Sequence, residues 1–174
     1  MCLRLSVSLS VCPSYAFRLL KSEAQSFRHQ IFDEVTFALN SSESRAQVLW
    51  PRHCLQDSEG AQLHSDLLIP PNATIIQKGK NSDVDSYSAF WDNSKLKSTE
   101  LESVLREAGV TAVYVCGIAT DVCVKATAID AIELGFQVFL VKEACRGVEE
   151  KAIEKALEEI RGLGGKIVSL EEVV

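Results

Sequence analysis

The run Thr111-Ala112-Val113-Tyr114-Val115-Cys116 is apolar and rich in β-branched side chains. Its length and composition read as a strand covered on both faces, the kind found in parallel sheets beneath helices. The residues after it tighten the constraint. Gly117-Ile118-Ala119-Thr120 makes a turn, and a helix then runs to about Leu134, with Thr120 or Asp121 as its expected cap and Gly135 as its stop. Cys123 falls in the first turn of that helix. Backbone N–H groups there lack intrahelical partners and the helix dipole is positive, so thiolate is favoured over thiol and an oxyanion could be held. A cysteine nucleophile is physically reasonable at this place. The competing reading is a small buried hydrophobe, which is what the other five cysteines are expected to be.

The flanking segments repeat the pattern. A helix is expected over Ser98 to Ala108, with Leu101, Val104 and Leu105 inward, and a strand over Gln137 to Val141. An amphipathic helix follows over Val148 to Leu163, with Ile153, Ala156, Leu157 and Ile160 inward, then a last strand over Lys166 to Leu170. Strands and helices alternating at this spacing imply right-handed βαβ units, an α/β fold with a mainly parallel sheet and helices on both faces. Ligands in such sheets bind beyond the carboxyl ends of the strands.

The first part of the chain is less regular. Leu3, Leu5, Val7, Leu9 and Val11 alternate with polar residues, which suits a strand or a weak signal peptide, and a helix could span Ser14 to His29. Val35 to Leu39 reads as a short strand, Asn40 to Arg45 as a polar break, and Trp50 to Pro71 as a loop. Thr74 to Gln77 is expected as a strand ending at Lys78-Gly79, which would bring Lys78 to the same sheet end as Cys123. A long polar loop with Tyr87, Phe90 and Trp91 comes next, of a length that usually serves function.

Composition narrows the partners. A chain of 174 residues suits one domain, and a net charge of −6 without a basic cluster argues against nucleic acid. No apolar run approaches the roughly 18 residues that cross a membrane. The scattered cysteines, without a CxxC pair, suit reduced thiols in the cytoplasm.

Several blocks then occur in a specific order: Trp50-Pro51-Arg52-His53-Cys54, Gly60-Ala61, His64-Ser65-Asp66-Leu67, Lys78-Gly79, Tyr87-Ser88-Ala89-Phe90 and Gly117-Ile118-Ala119-Thr120-Asp121-Val122-Cys123-Val124. From about Val48 onward the chain resembles the nicotinamidases, among the isochorismatase-like cysteine hydrolases. The resemblance implies a three-layer αβα fold and hydrolysis of a small molecule, nicotinamide, to nicotinic acid and ammonia in NAD salvage. Cys123 would attack the carboxamide carbon and Lys78 would favour its thiolate. The N–H groups of Ala119 and Cys123 would form the oxyanion hole, with a cis peptide expected at Ile118–Ala119. Trp50 and Tyr87 would flank the pyridine ring. His53 would be a ligand of a divalent metal, zinc by analogy, at a site incomplete in this chain; a homo-oligomer is an allowed assembly.

The resemblance also fails in places. The family opens with a D-x-Q-x-D-F motif whose first aspartate shuttles protons, yet residues 1–22 contain no Asp or Glu. A D-x-H metal motif should follow the segment Phe32 to Leu39, where this chain passes almost directly to Trp50. Asp33 and Glu34 precede that strand and are expected at the end away from the site. The reading is an N-terminally altered or truncated member, from a missing exon or alternative start. It has an atypical segment over 1–30, an atypical first-strand region, and a partial hydrolase domain over 31–174. The alternative function is a catalytically impaired isoform with a regulatory or interaction role.

Overall fold

The computed structural model describes residues 30–38, 44–81 and 84–173. The strand expected over Leu3 to Val11 and the helix over Ser14 to His29 lie outside the described residues. The first elements are two strands, β1 (Glu34–Ala38) and β2 (Ser44–Val48), paired antiparallel as a hairpin. The polar segment around Arg45 thus enters a strand where a break was expected. Hairpin register is carried by backbone pairing, which side-chain polarity does not report.

The parallel sheet has the order β3-β4-β5, with β3 at Ala112–Ile118, β4 at Gln137–Arg146 and β5 at Lys166–Val168. Helix α1 (Leu101–Glu107) precedes β3, α2 (Lys125–Glu133) joins β3 to β4, and α3 (Glu150–Gly162) joins β4 to β5. The alternation read in the sequence is therefore the architecture. Strands β3 and β4 run further than expected, and β5 stops before Leu170, which enters a 3-10 turn. Among the described residues no ladder includes Thr74 to Gln77, although Ile76 is almost wholly buried.

Burial explains why these segments hold. Helices α2 and α3 touch one another and the sheet, so both lie on one face of it. Ala128 and Ala131 of α2 and Leu157 and Ile160 of α3 join Val138 and Leu140 of β4 in one core. Each fully buried Leu or Ile contributes about 1.5–3 kcal/mol over leaving it exposed. Leu101 and Leu105 of α1 enter the same core beside Phe90 and Phe136, whose rings stack at 6.3 Å. Arg106 closes this end, lying 4.4 Å over the Phe136 ring and donating to the Leu134 carbonyl at 2.6 Å. On the opposite face of the sheet Tyr114 and Phe139 stack at 4.8 Å.

The 85–99 loop has almost no regular structure yet is tightly held. The buried Asp92 carboxylate accepts from the Ser94 hydroxyl and from the backbone N–H groups of Ser94, Leu96 and Lys97. Thr99 donates to the Ala89 carbonyl, and Lys95 pairs with the buried Asp130 of α2 at 2.8 Å. Four bonds to one carboxylate fix a turn much as a cap fixes a helix end.

Candidate active site

The end of β3 delivers Cys123. Gly117 takes φ +124°, a conformation that favours glycine, and the Ile118–Ala119 peptide bond is cis. The chain then enters a wide π-type turn at Thr120–Val124 before α2 begins. The Ala119 carbonyl accepts from Val122 N at 3.1 Å and Val124 N at 3.0 Å, passing over Cys123 between them. No side chain caps this turn, so the expectation for Thr120 or Asp121 is not met. Thr120 is buried, and the Asp121 carboxylate is spent on Val148 and Glu149 across a chain crossing.

Lys78 arrives from the opposite side. Its side chain is 4% exposed, and its ammonium donates to the Ser86 carbonyl and lies 3.7 Å from Cys123 Sγ. A buried cation at that distance favours the charged form of the sulfur. Thr127, one helical turn past Cys123, donates to the Cys123 carbonyl at 2.7 Å and accepts from Ala89 N at 3.0 Å. One hydroxyl thus ties the turn that carries the sulfur to the loop that runs on from Ser86.

Both groups open onto a cavity of about 690 Å³ that also receives Trp50, His53, Tyr87 and Ala119, among mainly apolar neighbours. Trp50 and Tyr87 meet edge to face at 6.4 Å, and Phe32 meets Trp50 the same way at 5.7 Å. The Tyr87 hydroxyl accepts from Trp50 Nε1 at 2.9 Å and from Gln47 Nε2 at 2.6 Å. Burial, reinforced by the Asp85 carboxylate, pushes the Tyr87 phenol up to about 12, so it is neutral at physiological pH. Every residue singled out in the sequence, Trp50, His53, Lys78, Tyr87, Ala119 and Cys123, therefore borders one space. Asp33 and Glu34 are not among its lining residues, and Asp33 accepts from Gln30 N.

The thiols sort by surroundings. Burial pushes the Cys145 thiol up, the behaviour of an inert cysteine. Cys145 is a buried hydrophobe as expected, whereas Cys116 is exposed and Cys54 half-buried. Gln47 and Thr127 were missed in the sequence. Thr127 left a usable signal, since a residue four after a helical cysteine shares its face. Gln47 left none, because it depends on an unforeseen strand.

His53 has the posture of a ligand, with Nδ1 bonded to the Pro51 carbonyl at 2.6 Å and Nε2 left for other use. A structural or catalytic zinc needs at least three such groups. Among the described residues no three His, Cys, Asp or Glu side chains are arranged to hold a metal. The described residues thus offer His53 as a single ligand and do not make a complete metal site.

A nicotinamidase of Escherichia coli is 48% identical over 102 residues, covering 59% of this chain and 48% of that protein. The chain thus spans about half the length of that curated relative. The structure of an Acinetobacter baumanii nicotinamidase/pyrazinamidase superposes with a TM-score of 0.76 at 37% identity, over 87% of this chain and 71% of that one. A Pyrococcus horikoshii pyrazinamidase in complex with zinc gives a TM-score of 0.62 at 41% identity, over 70% of this chain and 63% of that one. These neighbours share the α/β fold with its parallel sheet. The isochorismatase domain matches residues 17–172, and the chain belongs to the isochorismatase family.

Proposed function

We propose that this chain is an amidohydrolase of the nicotinamidase type, acting on a small aromatic carboxamide, nicotinamide first among them. The observation that carries the reading is the buried Lys78 ammonium 3.7 Å from Cys123 Sγ at the floor of an apolar, aromatic-walled cavity. Sulfur adds to the carboxamide carbon, and the carbonyl oxygen becomes an oxyanion held by the N–H groups of Ala119 and Cys123. The C–N bond then breaks, ammonia leaving with the proton that the thiol gave up. Water cleaves the resulting thioester, releasing nicotinic acid and returning the sulfur. Trp50 and Tyr87 provide faces and edges for the ring. The place of the reaction in NAD salvage belongs to the same proposal, as does His53 as a ligand for a divalent metal such as zinc.

Ammonia release from nicotinamide by the purified chain, beside Cys123→Ala, tests it. Turnover that falls by about 10⁴-fold or more in the variant is expected, as for removal of a nucleophile generally. Absence of turnover in the unaltered chain, or turnover that survives the substitution, overturns it.

A further inference from the structure

Asp121 sits two residues before Cys123, in the same wide turn, and reaches across to the connection between β4 and α3. Its Oδ1 accepts from Val148 N at 3.0 Å and its Oδ2 from Glu149 N at 3.0 Å, with a longer bond of 3.3 Å from Val148 N to Oδ2. Helix α3 does not need this carboxylate as its cap. The Glu149 side chain already accepts from Lys151 N and Ala152 N.

The contact is also built from the other side. A Cβ at Gly147 would lie 2.7 Å from Asp121 Oδ1 and 2.5 Å from Ile153 Cγ1, so the approach requires an absent side chain at 147. Val148, the residue so held, lines the same cavity as Cys123. We propose that Asp121 is a positioning residue. Its carboxylate clamps the Gly147–Glu149 connection onto the Cys123 turn and so sets the gap between the sulfur and the Val148 rim. That gap admits a flat aromatic carboxamide and disfavours bulkier acyl groups. The proposal rests on Cys123 being the nucleophile of the reaction above.

The test compares Asp121→Ala, Asp121→Asn, Val148→Ala and the Asp121→Ala/Val148→Ala pair in the full chain. Two readouts are used: kcat and KM for nicotinamide, and the rates at which Cys123 is alkylated by iodoacetamide and by its bulkier N-benzyl analogue, followed by mass spectrometry. Loosening the rim in Asp121→Ala should raise KM about tenfold with kcat within about threefold. The benzyl-to-small alkylation ratio should rise at least about threefold. Asn keeps one acceptor for Val148 N and should fall between, which also covers the case in which the alanine variant does not fold. In the Val148→Ala background the effect of removing the carboxylate should largely vanish, because both act through one wall. A fall in kcat at constant KM, an unchanged alkylation ratio, or full additivity with Val148→Ala overturns the clamp. If the unaltered chain releases no ammonia the amidohydrolase reading fails, while the alkylation ratios still decide the role of Asp121.

Discussion

Two halves of the molecule meet at the cavity and are held by different forces. Residues 101–168 form the βαβ half, where α2 and α3 bury apolar faces against the sheet and each element repeats one simple periodicity. The described residues of 44–99 contain one hairpin strand and a short 3-10 turn; Ile76, Ala89 and Phe90 enter the core, and side-chain hydrogen bonds to Asp92, Thr127, Gln47 and Asp85 fix much of the rest. The first half supplies the sulfur on a rigid turn. The second supplies the cation and the aromatic walls. Chemistry thus rests on a scaffold secured mainly by packing and on a loop secured largely by polar bonds, so the loop is where single substitutions should reach furthest.

The largest effect is expected at the joint between the halves. Lys78→Met keeps most of the side-chain volume but removes the buried cation beside Cys123 and leaves the Ser86 carbonyl without its donor. A fall in kcat/KM of about 10²-fold is expected, with slower alkylation of Cys123 at neutral pH. Equal alkylation rates in the two proteins would separate the halves functionally and break the comparison.

Thr127→Val tests the second joint. The hydroxyl links Ala89 N to the Cys123 carbonyl, and its loss strands a buried N–H. A destabilisation of about 1–3 kcal/mol in urea unfolding is expected. An equal cost from removing an apolar contact of similar size within α3 would show that polar bonds have no special place in the loop half.

The smallest effect concerns Tyr87 and pH. Its phenol titrates at about 12 in the folded chain against 10.0 when unperturbed, so between those values the folded state keeps a proton that the unfolded chain has lost. Stability from this group is complete below pH 10 and is lost as pH rises toward 12, by about 1 kcal/mol between pH 10 and 11. Urea titrations at both values should show that loss and its disappearance in Tyr87→Phe. An identical slope in the two proteins would place the phenol outside the polar web of the loop half.

The legibility of the chain follows the same division. The βαβ half could be read because apolar periodicity is local information: Leu157 and Ile160 are spaced for one helix face whatever surrounds them. Even so, the cap at Thr120 or Asp121 was misread, since local spacing cannot tell that the Asp121 carboxylate finds better donors at Val148 and Glu149, some 27 residues away. The strand expected at Thr74 to Gln77 shows the same limit. Its β-branched residues suit a ladder, but none of the described strands pairs with them.

By itself the sequence determined the alternation of strands and helices, the placing of Cys123 just past a strand, and six of the residues that border the cavity, although that strand, read as covered on both faces, is only partly covered. Only the tertiary structure decided how they meet: a lysine 45 positions away brought to 3.7 Å from the sulfur, a threonine bridging both walls, and an aspartate bonded to Val148 and Glu149 instead of capping its own turn. The physical reason is range. Hydrophobic patterning acts between neighbours along the chain, whereas a buried charge or hydroxyl must find its partner wherever packing brings one, because leaving it unpaired costs more than any local preference returns.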